Sequence, residues 1–301
     1  MERKDRIDAL GGVFLLTFSM LLGLNQVLVK IVNTGFDPIF QAGLRSACAI
    51  LPVLLYAWLR KKKLTVRDGS FGPGILCGIF FAAEFIFLFQ SLEISSVARV
   101  SILFYTMPFW VTLAAHFLIP GEYLTKMRSL GIILAFLGVV IAIYQPSSDA
   151  SAGSLQGDIY AILAAISWAG LLLVARLTKL NRAVPEMQLI YQLVVSAAVL
   201  LAISIFIDDV IRDVTPMILG ILAFQVLVIV CTGYVVWLWV LTIYPASDMA
   251  SFGFLAPVFG VFFGWFILDE AITPFIILSL ILVSIGIVLV NRKPKPKAAK
   301  V

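Results

Sequence analysis

A carboxylate sits at position 84 inside the run FFAAEFIFLF, with Phe80, Phe81, Phe87 and Leu88 within a turn of it. In such apolar surroundings a carboxyl tends to hold a proton unless a cation pairs with it. Two chemistries follow for Glu84. It can exchange a proton or bind an amine, or it can form a buried ion pair with Lys30 or Arg45 that only fixes helix packing. Lys30, Arg45 and Arg99 also stand in or beside apolar runs. Together they could attract a carboxylate or another anion. Arg99 reads instead as an interfacial residue whose head reaches for water.

Other polar residues recur at spacings of three and four, the period of one helical face. Ser19, Gly23, Gln26 and Lys30 form one stripe, and Gln41 with Arg45 a second. Ser101, Tyr105, Pro108 and Thr112 form a third, and Gln188, Gln192 and Ser196 a fourth. Gln225, Tyr234 and Trp237 complete the set. Polar groups within a membrane are costly and usually face an interior or a water-filled cavity. The stripes are therefore expected to line one wet, aromatic-rich cavity. The candidate binding residues are Gln26, Lys30, Gln41, Arg45, Glu84, Tyr105, Gln188, Gln192, Tyr234 and Trp237.

Enzyme chemistry finds little support. There is no GxSxG, no HExxH and no Walker-type glycine loop. The single histidine, His116, excludes a multi-histidine metal site within one chain. Cys48, Cys77 and Cys231 all lie in apolar runs and read as small buried hydrophobes. No cofactor is expected.

The elements that must hold these residues follow from composition. Of 301 residues 61% are hydrophobic and 13% charged, with a mean hydropathy of +1.06. One soluble core could not hide so much apolar surface, and a bilayer could. Ten segments approach the roughly 20 apolar residues that span its hydrocarbon. They run Asp8–Ile31, Asp37–Leu59, Phe71–Gln90, Val97–Ile119 and Lys126–Tyr144, then Gly157–Leu177, Pro185–Ile207, Pro216–Leu241, Ala246–Leu268 and Thr273–Val290. The first is expected to be retained rather than cleaved, since no A-x-A-like site ends it. The expected fold is an all-α integral membrane protein of ten transmembrane helices. With the N-terminus in the cytoplasm, every Lys and Arg except Lys30, Arg45, Arg99 and Arg212 falls in an inside segment. The positive-inside rule thus places both termini in the cytoplasm. The net charge of +5 reads as orientation, not as nucleic-acid binding.

The two halves resemble each other. Pro108 matches Pro257, Glu122 matches Glu270 and Gly138 matches Gly286, at a register of 148–149. Residues 1–145 form the first five-helix repeat, 146–156 a linker, 157–290 the second repeat, and 291–301 a basic tail. Five spans per half is an odd number, so the halves enter the membrane from opposite sides. Inverted repeats are common in secondary transporters, whose sites lie near mid-membrane at interrupted helices. Proline removes a backbone hydrogen bond, so Pro108 and Pro257 are the candidate helix breaks.

Ten helices in two five-helix halves, with Pro108…Glu122 and Pro257…Glu270 closing the fourth helix of each and Lys30 near the end of the first, resemble the drug/metabolite transporter superfamily and its EamA-type bacterial members. The second half departs with Asp269 where the first has Gly121, and offers no clear lysine to match Lys30. The resemblance implies an inner-membrane carrier or exporter and leaves its cargo open. The expected partners are a small-molecule substrate, the lipid bilayer and a coupling proton, with the chain acting as a monomer or homodimer. Amino acids are the favoured cargo; a broad drug or organic-solute exporter is the alternative, with an intramembrane enzyme or a channel behind it.

Overall fold

A computed structural model describes residues 8–120, 122–144, 154–233 and 251–291, and positions 236, 240, 243 and 244. Among the described residues every long element is a helix. In chain order these are α1 (Ala9–Asn33), α2 (Pro38–Leu59), α3 (Phe71–Ile94), α4 (Val97–Phe104), α5 (Met107–Leu118) and α6 (Lys126–Ile143). Then come α7 (Leu155–Leu177), α8 (Pro185–Ser204), α9 (Pro216–Phe224), α10 (Leu255–Leu268) and α11 (Pro274–Asn291). α4 and α5 form one interrupted span. With that pair counted once, eight helices among the described residues are long and apolar enough to cross a membrane, and α9 and α10 belong to two shorter apolar ones. The fold is an all-α membrane architecture of two five-helix repeats.

Local chemistry sets the ends. Asp8 caps α1 by accepting from the Gly11 amide at 2.9 Å, and Ser154 caps α7 by accepting from the Gly157 amide at 3.0 Å. Thr125 and Thr215 cap α6 and α9. α1 and α3 run to Asn33 and Ile94, past the expected Ile31 and Gln90. A polar last turn can stay helical where neighbouring chain satisfies it, as Asn33 does by donating to the Phe89 carbonyl at 3.1 Å.

Both prolines sit at irregularities. The chain leaves the α-helix at Tyr105 and Thr106 and resumes at Met107, just before Pro108. A 3-10 turn, Ser251–Phe254, precedes α10, whose first turn holds Pro257. α9 continues into a π-helical stretch, Gln225–Thr232, where the Thr232 hydroxyl donates to the Leu227 carbonyl at 2.8 Å.

The repeat is visible in packing. An offset of 148 carries Gly138 onto Gly286 and Gly131 onto Ser279. In the α6–α11 crossing, a methyl on Gly131 would lie 2.9 Å from the Gly286 carbonyl, and one on Gly138 would lie 3.0 Å from the Ser279 carbonyl. The two contacts exchange when the halves exchange, and the helices run antiparallel. That is a two-fold axis in the membrane plane. Small residues let such backbones approach where lipid supplies no hydrophobic driving force.

The outer surface is apolar: Leu51, Trp58, Phe117, Ile205 and Phe206 are all largely exposed, as lipid-facing residues are. Cys48 faces outward with them and is exposed, contrary to its expected burial; only Cys77 is buried and Cys231 is intermediate. An apolar run marks contact with hydrocarbon, and in a membrane protein lipid provides it as well as core does. The face holding the starts of α1, α3, α6 and α8 carries Arg60 to Lys63, Lys126, Arg128, Arg176 and Lys179. This is the basic face, and the other is the opposite face.

Candidate functional site

Polar side chains from α1, α2, α3, α4 and the start of the π stretch meet inside the bundle. Asn25, Arg45, Glu84 and Gln225 each lie seven to ten residues from their helix ends at the opposite face. At 1.5 Å per residue that is roughly 10–15 Å deep.

Asn25 is the hub. Its Oδ1 accepts from Arg45 Nη1 at 3.3 Å and from Gln225 Nε2 at 3.4 Å. The Arg45 guanidinium lies over the Phe85 and Phe89 rings, 4.8 and 5.2 Å from their centroids, a cation–π arrangement. Glu84 is 2% exposed. Arg45's charge acts on it, and Glu84's charge acts on Tyr105. No cation among the described residues comes within ion-pair distance of Glu84. Neither expected partner closes on it, because Arg45 is held by Asn25 and the rings while Lys30 points elsewhere. Gln26 Oε1 accepts from Ser101 Oγ at 2.5 Å, and Gln41 lies one turn from Arg45 on α2.

Five buried polar atoms of this cluster have no hydrogen-bond partner: both amide atoms of Gln41, Arg45 Nε, Glu84 Oε2 and Gln225 Oε1. An unsatisfied buried polar atom costs about 1–3 kcal/mol, and native proteins keep few. Such open donors and acceptors can be satisfied by ordered water or by a bound polar molecule.

The structure thus brings Arg45, Glu84 and Tyr105 together beside Asn25, with Gln41 one turn along α2, while Gln26 turns to Ser101 of α4. It does not bring the other sequence candidates there. Lys30 donates to the Ser95 carbonyl and lies 3.8 Å from Glu270. Gln188 donates to the Leu180 and Ala183 carbonyls, both at 3.1 Å, and anchors a turn. Gln192 contacts Cys77 Sγ at 3.7 Å. Tyr234 and Trp237 fall outside the described residues. The α1 stripe is a packing seam rather than a cavity wall. Ser19 donates to the Phe252 carbonyl, a methyl on Gly23 would strike Phe259 and Gly260, and Gln26 meets α4. Arg99 is not interfacial: it is 4% exposed and makes a buried two-toothed pair with Asp158 of α7.

Flanking this cluster, the repeat builds the same ion pair twice. At the opposite face Glu270 pairs with Lys30 and accepts from the Val97 and Ala98 amides at 2.7 and 3.0 Å. At the basic face Glu122 pairs with Arg176 through both oxygens. The caps Asp8 and Ser154 set an offset of 146 between α1 and α7, which carries Lys30 onto Arg176. Sequence reasoning missed this counterpart because it sought a lysine. It also missed Asn25, whose only signal was being a second amide beside Gln26.

The profile of the family described as EamA-like transporters matches residues 9–144 and 155–292. The chain belongs to the EamA-like transporter family. It is a multi-pass membrane transporter, and the paired match corresponds to its two repeats. This EamA-like chain is 25% identical to the uncharacterized transporter YoaV of Bacillus subtilis, over 91% of this chain and 94% of that one. It is 26% identical to a probable amino-acid metabolite efflux pump of Escherichia coli, over 95% of this chain and 94% of the pump. A solved crystal structure shares the fold with a TM-score of 0.66 at 17% identity, over 91% of this chain and 94% of that one.

Proposed function

We propose that this transporter is an alternating-access carrier that exports small zwitterionic metabolites, amino acids foremost, in exchange for protons. One observation carries the reading: the five unpartnered buried atoms of the cluster built on the Asn25–Arg45 contact. Arg45 and the open amide donor of Gln41 suit a carboxylate. Glu84 suits an ammonium group. Phe85, Phe89 and Tyr105 offer apolar surface for a side chain. Glu84 holds either a proton or the cargo's ammonium, and that competition couples the two flows. The amino-acid metabolite pump among the relatives supports the cargo class. The burial of the cluster suits a carrier better than an open pore, and no reactive constellation in it suits an enzyme. The basic loops favour an inner-membrane setting with both termini in the cytoplasm.

The test is counterflow of labelled amino acids in proteoliposomes, with and without an imposed pH gradient, for the wild type and Glu84→Gln. Saturable counterflow that responds to the gradient only in the wild type is expected. Flux indifferent to both gradient and substitution would remove the proton from the mechanism. Absence of amino-acid flux in a folded preparation would move the cargo to other organic solutes.

A further inference from the structure

A cavity of about 220 Å³ opens on the basic face, away from the central cluster. α5, α6, α7 and α11 meet there, and both halves contribute. Its charged residues are Glu122, Arg128 and Arg176, with Thr112 and Asn291 also polar, and its apolar wall includes Val111 and Val290. Arg176 is engaged by Glu122. Arg128 is not engaged in the same way: its Nε is buried and has no hydrogen-bond partner. Two arginines against one carboxylate leave the cavity a net positive charge. Arg128 also sits in the first turn of α6, where the helix dipole adds positive potential.

The repeat sharpens the point. The offset of 148 carries Arg128 onto Ile276 and Asn291 onto Ile143. The ion pair is thus common to both faces, and the extra arginine belongs to the basic face alone. Its presence there is not explained by the fold's symmetry.

We propose that this cavity binds the phosphate headgroup of an anionic phospholipid, with Arg128 as its principal ligand and Arg176 as its second. The position commits the occupant. The cavity lies where α6 begins and α11 ends, at headgroup depth for a chain in a bilayer. Met127, Leu130, Phe117 and Leu118 around it are exposed, apolar and available to acyl chains. The volume is below the roughly 300–1,000 Å³ of drug-sized sites and suits a headgroup. Basic pockets between transmembrane helices on one face are a recurring form of lipid recognition. A phosphate held by Arg128 of the first half and Arg176 of the second braces closure of this face.

The test uses the full chain, purified and delipidated in detergent. Phosphatidylglycerol, phosphatidylcholine or inorganic phosphate is titrated, with bound lipid counted by native mass spectrometry and stability followed by melting. The wild type is expected to bind phosphatidylglycerol saturably and to be stabilised by it more than by phosphatidylcholine. Arg128→Gln is expected to bind it roughly tenfold more weakly, as loss of one charge-assisted contact predicts. Arg128→Lys, which keeps the charge and loses the fork, should fall between. Equal responses to the two lipids overturn the proposal, as does undiminished phosphatidylglycerol selectivity in both variants. A matching response to inorganic phosphate at the same concentration overturns the lipid and leaves a soluble-anion site.

Discussion

Asn25 holds Arg45 and Gln225 through a single oxygen atom, so its removal has consequences for both. Arg45 would keep its place over Phe85 and Phe89 yet lose the acceptor that aims it. Asn25→Ala is therefore expected to weaken cargo affinity roughly tenfold, at the scale of a hydrogen bond to a charged group. The measurement is the half-saturating concentration for counterflow, with a melting curve as control. An unchanged half-saturation in a folded variant would place the cargo away from Asn25. At this scale sequence was informative about charge and poor about direction. Glu84 and Arg45 stood out because ionised groups are rare in apolar runs. Asn25 and Gln26 are neighbours about 100° apart on the helix, and only the packing of α2, α4 and α9 decides which of them faces the cluster. Gln188 and Gln192 had the right spacing and serve a turn and a thiol instead.

The helix ends carry the elements' own chemistry, and the two ion pairs there are unequal. Lys30 and Glu270 are 29% and 12% exposed, and Glu270 also binds two amides of α4. Arg176 and Glu122 are 53% and 30% exposed, so solvent screens them more. By exposure the Lys30–Glu270 pair is the less screened of the two. Breaking the first pair should favour opening at the opposite face, and breaking the second should favour opening at the basic face. Lys30→Met is expected to raise labelling of a cysteine placed at Gln225 from the opposite face by about fivefold, the population change of roughly 1 kcal/mol. Arg176→Met is expected to raise labelling from the basic face, and by less. Labelling from the same side in both variants would rule out paired latches. The carboxylates of these latches were legible from the matched Glu122 and Glu270. The cations were half legible, because Lys30 and Arg176 align only once the caps Asp8 and Ser154 fix the offset.

At the scale of the molecule, the arrangement follows from counting spans. Ten crossings with an odd number in each half force inversion, and the exchanged contacts of Gly131 with Gly286 and Gly138 with Ser279 realise it. The span count needed only hydropathy, so it was readable in the sequence. The irregular backbone at Tyr105–Thr106 was signalled by Pro108, whereas the π stretch beginning at Gln225 has no proline and was not. Orientation is a separate matter, since the fold is the same seen from either side. It rests on charge: the loop between α2 and α3 is rich in lysine and arginine, while Asp208, Asp209 and Asp213 lie between α8 and α9 with Arg212. The basic loop should stay in the cytoplasm because translocating it is disfavoured. In a variant whose three native cysteines are replaced, Arg67→Cys and Asp209→Cys are treated in intact cells with a membrane-impermeant maleimide. Asp209→Cys should label from outside, and Arg67→Cys should label only after the membrane is permeabilised. The reverse pattern would turn the molecule over and make the basic face external. Labelling of both from outside would break the span count between α2 and α9, and with it the inversion on which alternating access depends.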